Sequence, residues 1–192
     1  MSENQFTRPI AIALALFILA CCSGYIVSSL NPETGNFFMN FFKDAKFGEI
    51  MNENPVILAM NLFVNNIEAC IIMFFGGVVL GIGSFCVLGL NGLLIGAILE
   101  VARQTKGLLF VVAAILPHGI FEIPAFVLAG AFGIMLGEAV IREYLGEGDS
   151  GETAWFLMKK FVIYIIPLIF VAAVMEAFVT PEFIHMVEMR SV

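Results

Sequence analysis

The sequence predicts an all-α membrane protein, a polytopic helical bundle of about five transmembrane helices forming a single integral membrane domain over residues 1–192. Three observations predict it. The chain is 60% hydrophobic and 13% charged, whereas a soluble domain averages about a quarter charged residues. Its mean hydropathy is +1.00, more apolar surface than a water-facing fold can cover. The apolar residues also fall in runs of the roughly 20 needed to cross about 30 Å of hydrocarbon.

The first span is expected from Pro9 to Leu30, flanked by Arg8 and Glu33, with Pro9 at a helix start. The adjacent Cys21 and Cys22 follow "FILA" as a lipoprotein cleavage site would, but the apolar run continues through "SGYIVSSL". An uncleaved span is the expectation. "NPETG" reads as a turn by composition. Residues 36–50, "NFFMNFFKDAKFGEI", place aromatics at 37, 38, 41 and 42 and charges elsewhere. That pattern predicts an amphipathic helix lying in the interface.

Residues 55–102 are apolar for long enough to cross twice. A break is expected near "GIGSFCVLGLNG", where Gly81, Gly83, Gly89, Asn91 and Gly92 cluster. After the short polar "RQTKG", residues 108–137 are apolar except around 115–124. A polar, glycine-rich loop at 138–154 follows, and a last span runs from Trp155 to Val179 with Lys159 and Lys160 as interfacial anchors.

The segment near 115–124 sets the topology. If residues 108–137 cross once there are five spans, and the basic residues divide as Arg8, Arg142, Lys159 and Lys160 against Lys43, Lys46, Arg103, Lys106 and Arg190. That split does not choose an orientation. If Pro117 instead breaks the segment into a re-entrant pair, seven basic residues face two. Pro117 and Pro124 each lack an N–H and free a carbonyl four residues back, so a kinked, broken or re-entrant segment is expected here.

The same stretch, "ILPHGIFEIPAF", carries the chemistry. His118 and Glu122 lie four apart on one helical face, and ionisable groups at membrane depth are candidate functional residues. "NLFVNNIEAC" adds Asn65, Asn66 and Glu68. These side chains either glue helices together by hydrogen bonding or complete one polar core with His118 and Glu122, able to carry protons or ions. Gly77 and Gly81, Gly92 and Gly96, and Gly133 and Gly137 form three GxxxG pairs, which permit close helix packing and offer a homodimer face.

Several classes are excluded. The nine basic residues are dispersed, so no nucleic-acid partner is expected. Cys21, Cys22, Cys70 and Cys86 lack paired metal-ligand spacing. With His118 the one histidine of the apolar body, neither a metal site nor another cofactor is expected. No nucleophile, base and orienter occur in order, and the chain is not expected to be an enzyme.

"PHGIFEIPAFVLAGAFGIMLG", with "NN" at 65–66 and "GLNGLLIG" at 89–96, resembles the stage II sporulation protein M family over roughly residues 56–137. The family pattern maps onto Asn65, Asn66, Asn91, Gly92, Pro117, His118, Gly119, Glu122 and Gly130. The resemblance implies a multi-pass protein of the cell membrane with about five spans and a cytoplasmic amino terminus. It also implies a non-catalytic scaffold or anchor whose partners are envelope-remodelling proteins and membrane lipids. The alternative is a small permease or channel whose His/Glu/Asn core passes protons, ions or a small solute.

Overall fold

The computed structural model describes residues 4–42 and 54–190. The described residues are helical and form a bundle in which five helices are long and apolar enough to cross a membrane. In order, these are α1 (Asn4–Leu30), a short α2 (Pro32–Phe42), α3 (Pro55–Phe75), α4 (Ile82–Lys106), α5 (Leu108–Tyr144) and a final rod. The rod joins α6 (Ser150–Lys160), α7 (Ile166–Val174) and α8 (Thr180–Arg190) through π-helical turns at Phe161–Ile165 and Met175–Val179.

α1 starts before Pro9, which sits buried inside the helix rather than at its start. Its inward stripe recurs every four residues through Pro9, Ala13 and Phe17, then through Gly24 and Ser28. These are the ridges that ridge-into-groove packing uses. "NPETG" is not a free turn. Asn31 accepts from the backbone N–H groups of Glu33 and Thr34, and Pro32 opens α2. An Asn–Pro pair that ends one helix is equally a cap and first residue for the next. The amphipathic stretch expected at 36–50 therefore belongs to α2 up to Phe42, and its residues 43–50 lie outside the described residues.

The α3–α4 reversal comes earlier than expected. A 3-10 turn at Gly76–Val78 leads into Leu80 and Gly81, both at positive φ (54° and 81°). Gly83, Gly89, Asn91 and Gly92 all continue into α4. Gly107, at φ 86°, then reverses the chain within one residue between α4 and α5.

α5 runs through both Pro117 and Pro124 as one 37-residue helix. The broken or re-entrant segment expected near 115–124 is not formed. Each proline removes one helical hydrogen bond, whereas a re-entrant tip would strip a whole turn of backbone partners in lipid. The continuous helix is the smaller loss. α5 is also the axis of the bundle: 67% of its apolar window is buried, against 17–28% in the other four spans.

The ends of the bundle follow from contacts. At one end Phe6 of α1 meets Phe156 of α6, and Gly137 of α5 abuts Leu80 and Gly81. At the other, Lys106 Nζ pairs with Glu188 Oε1 at 2.8 Å, and Gly35 of α2 abuts Val101 of α4. The five long helices therefore alternate in direction.

Glycine pairs set how closely they pack. Gly92 and Gly96 rest on the backbone of Phe17 and Cys21 in α1, and Gly77 rests on Gly133 of α5. Gly137 closes the same seam against Gly77 and Gly81. All three GxxxG pairs are used inside one chain. Ser84 adds a buried hydrogen bond, donating to the Met73 carbonyl oxygen at 2.6 Å, which locks the α3–α4 hairpin.

Candidate functional site

His118 and Glu122 stand on consecutive turns of α5, with His118 Nε2 and Glu122 Oε2 3.8 Å apart and their side chains only 13% and 15% exposed. That separation exceeds a hydrogen bond. A third group arrives from the last rod. One donor atom from each of His118, Glu122 and Glu176 lies within 4.8 Å of the others. Glu176 belongs to the π-helical turn Met175–Val179, a local widening that proteins favour at functional positions.

The imidazole is oriented from its far side. His118 Nδ1 is 3.3 Å from Thr180 Oγ1, and Thr180, itself buried, donates to the Met175 carbonyl oxygen at 3.2 Å. A hydroxyl has one proton to give. With that proton on Met175, Thr180 accepts from His118, which puts hydrogen on Nδ1 and leaves the Nε2 lone pair on the side of Glu122 Oε2.

Position can be read along the rod. From Glu176 to Glu188 is twelve residues (188 − 176), about 18 Å of helix. Glu188 is at the exposed end-pair with Lys106. The cluster therefore lies about 18 Å along the rod from that end pair.

The other sequence-selected residues divide. Asn66 is buried and accepts from Asn65 Nδ2 at 3.4 Å, and α3 packs on the Met175–Val179 turn. Glu68 is exposed on the outer side of α3, so it does not join His118 and Glu122. Its place as the further acid is taken by Glu176. The signal for Glu176 was present: it is the one charged residue between Lys160 and Glu182, in an otherwise apolar run.

Sequence reasoning also passed over Glu100. It is fully buried, takes two hydrogen bonds from Arg103 at 2.7 and 2.8 Å, and takes a third from Gln104 at 2.8 Å. The Arg103 guanidinium lies 5.9 Å from the Tyr25 ring centroid, which ties this acid to α1. At the opposite end, a cleft of about 350 Å³ is lined by Gln5, Arg8, Pro9, Met135, Glu138, Arg142 and Thr153.

The sequence pattern of the stage II sporulation protein M family matches residues 13–181. Two archaeal proteins of Methanocaldococcus jannaschii are similar to the chain. Uncharacterized protein MJ0793 is 28% identical over 179 residues, spanning 91% of this chain and 94% of its own length. Uncharacterized protein MJ0706 is 27% identical over 148 residues, spanning 74% of this chain and 65% of its own. No solved structure matches. With the family pattern running from α1 into α8, across all five long apolar helices and both halves of the His118–Glu176 cluster, the chain belongs to the stage II sporulation protein M family of membrane proteins.

Proposed function

We propose that this protein is a non-catalytic, multi-pass scaffold of the cell membrane that anchors proteins remodelling the cell envelope. The observation that carries the reading is the filled axis. α5 occupies the centre of the bundle, and Gly130, Gly133 and Gly137 seat it directly on Leu88, Ser84 and the Gly77–Gly81 turn. A bundle knit backbone to backbone is stiff, and stiffness is what an anchor contributes to its partners. The cleft between Arg8, Glu138 and Arg142 offers polar groups beside the bundle end, and the exposed apolar side chains of α1, such as Leu19 and Ile18, suit lipid. Family membership supports the same role.

The test is capture. The tagged protein, cross-linked in native membranes, is expected to bring down a small set of envelope proteins, with an Arg8→Ala/Arg142→Ala variant losing at least one. Recovery of a solitary protein would overturn the reading.

The His118, Glu122 and Glu176 cluster favours a second reading, a permease for protons, ions or a small solute. It requires pH-dependent flux in liposomes that Glu122→Gln abolishes; flux indifferent to that change removes it.

A further inference from the structure

We infer that His118, Glu122 and Glu176 form a binding site for one divalent first-row metal ion, which pins α5 to the final rod. The inference goes beyond the scaffold reading and does not depend on it.

Four observations converge. The first is composition and distance. An imidazole and two carboxylates offer three donors within 4.8 Å of one another, which rotation of the two glutamate side chains brings to the roughly 3.3–3.6 Å between ligands of a tetrahedral metal with bonds of about 2.0–2.2 Å. His118 Nε2 and Glu122 Oε2, at 3.8 Å, are too far apart to bond each other and placed to share a third atom. One histidine with two carboxylates suits zinc, manganese, iron or cobalt, and its nitrogen disfavours magnesium and calcium.

The second is the tautomer. Metal-bound histidines characteristically donate their other ring N–H to an outer partner, which orients the ring and fixes the free lone pair. Thr180 supplies that partner here: its hydroxyl proton is committed to the Met175 carbonyl, so it accepts from Nδ1. The lone pair of Nε2 is thereby left on the side of Glu122 Oε2.

The third is backbone geometry. The π-helical turn Met175–Val179 inserts one extra residue into the turn that holds Glu176. The Met175 carbonyl receives both the backbone N–H and the hydroxyl of Thr180. The same irregularity thus presents Glu176 and positions the group that orients His118.

The fourth is charge. Two carboxylates side by side and mostly buried within an apolar bundle are unfavourable unless neutralised. Among the described residues, Arg8 and Arg142 line the cleft at one bundle end, Arg103 and Lys106 pair with Glu100 and Glu188, and Lys159 and Lys160 lie over Trp155 and Phe156. A dication balances two carboxylates and a neutral imidazole to zero net charge. The competing solution is a proton on each acid, with no metal.

The experiment titrates the full chain, purified in detergent and stripped with a chelator, with Co²⁺, then displaces it with Zn²⁺. The expected result is one equivalent of Co²⁺ per chain with visible ligand-field bands that Zn²⁺ abolishes. Glu122→Gln and Glu176→Gln are each expected to weaken binding by more than about 100-fold, and Thr180→Val by about 10–100-fold. Glu68→Gln and His185→Ala should leave it unchanged. Should the Gln variants not fold, the wild-type spectrum and Thr180→Val carry the decision. Sub-stoichiometric Co²⁺ without ligand-field bands would overturn the site, as would binding indifferent to Glu176→Gln in a folded protein.

Discussion

Gly96 of α4 lies against the carbonyl of Cys21 in α1 so closely that a single methyl group would overlap it. Backbone cannot swing aside as a side-chain tip can, so α1 and α4 would have to part. Gly96→Ala is expected to destabilise by about 1–3 kcal/mol through overpacking. Gly89, on the same helix, is the control, because nothing lies within 4 Å of where its Cβ would sit. There alanine should stabilise by about 0.5–1 kcal/mol. Thermal unfolding of the two variants in detergent should move in opposite directions.

Arg103→Ala should be more damaging than its half-exposed side chain suggests. It leaves Glu100 buried with only the neutral Gln104 amide and Tyr25 hydroxyl as partners, and an uncompensated buried charge costs about 3–5 kcal/mol. Solvent screening at the arginine places the expectation at the lower end of that range. Glu100→Gln combined with Arg103→Ala should be more stable than Arg103→Ala alone, because the stranded charge is gone. Chemical denaturation of the single and double variants measures the difference.

Lys106→Ala should do little. Its pair with Glu188 is short at 2.8 Å, but both side chains are half exposed, and water and salt screen such pairs until little net attraction is left. A melting temperature close to that of the wild type is expected.

A single crossing by α5 puts its two flanking connections on opposite sides. Thr105 and Gly148 are exposed and bracket the helix. In a chain freed of its four native cysteines, Thr105→Cys and Gly148→Cys should be labelled by an impermeant reagent from opposite faces of the membrane. Labelling from one face would contradict the continuous helix.

Which of these features the sequence disclosed depends on how local their causes are. The five apolar runs and the four-residue offset of His118 and Glu122 are properties of neighbouring residues, and periodicity reads them directly. Glycine is ambiguous in a way composition cannot resolve. Gly81 turns the chain, while Gly92 and Gly96 admit a neighbouring helix, so a cluster of glycines misplaced the α3–α4 turn. Proline misled similarly. Pro117 and Pro124 carry a strong local signal for a break, overridden because lipid penalises exposed backbone more than it penalises a kink. Glu176 joined the site only through packing of the last rod on α5. That is a relationship between residues 54 apart (176 − 122), which no window of sequence contains.

That separation has a consequence during synthesis. At about 5–20 residues per second, Glu122 is made roughly 3–11 s before Glu176 is made. For that interval α5 carries an acid and an imidazole whose third companion does not yet exist. A nascent chain truncated before the final rod should therefore be held longer by the insertion machinery, or degraded sooner, than one with Glu122 replaced by leucine. The rod that covers this face of α5 is thus translated only after the face itself has been made.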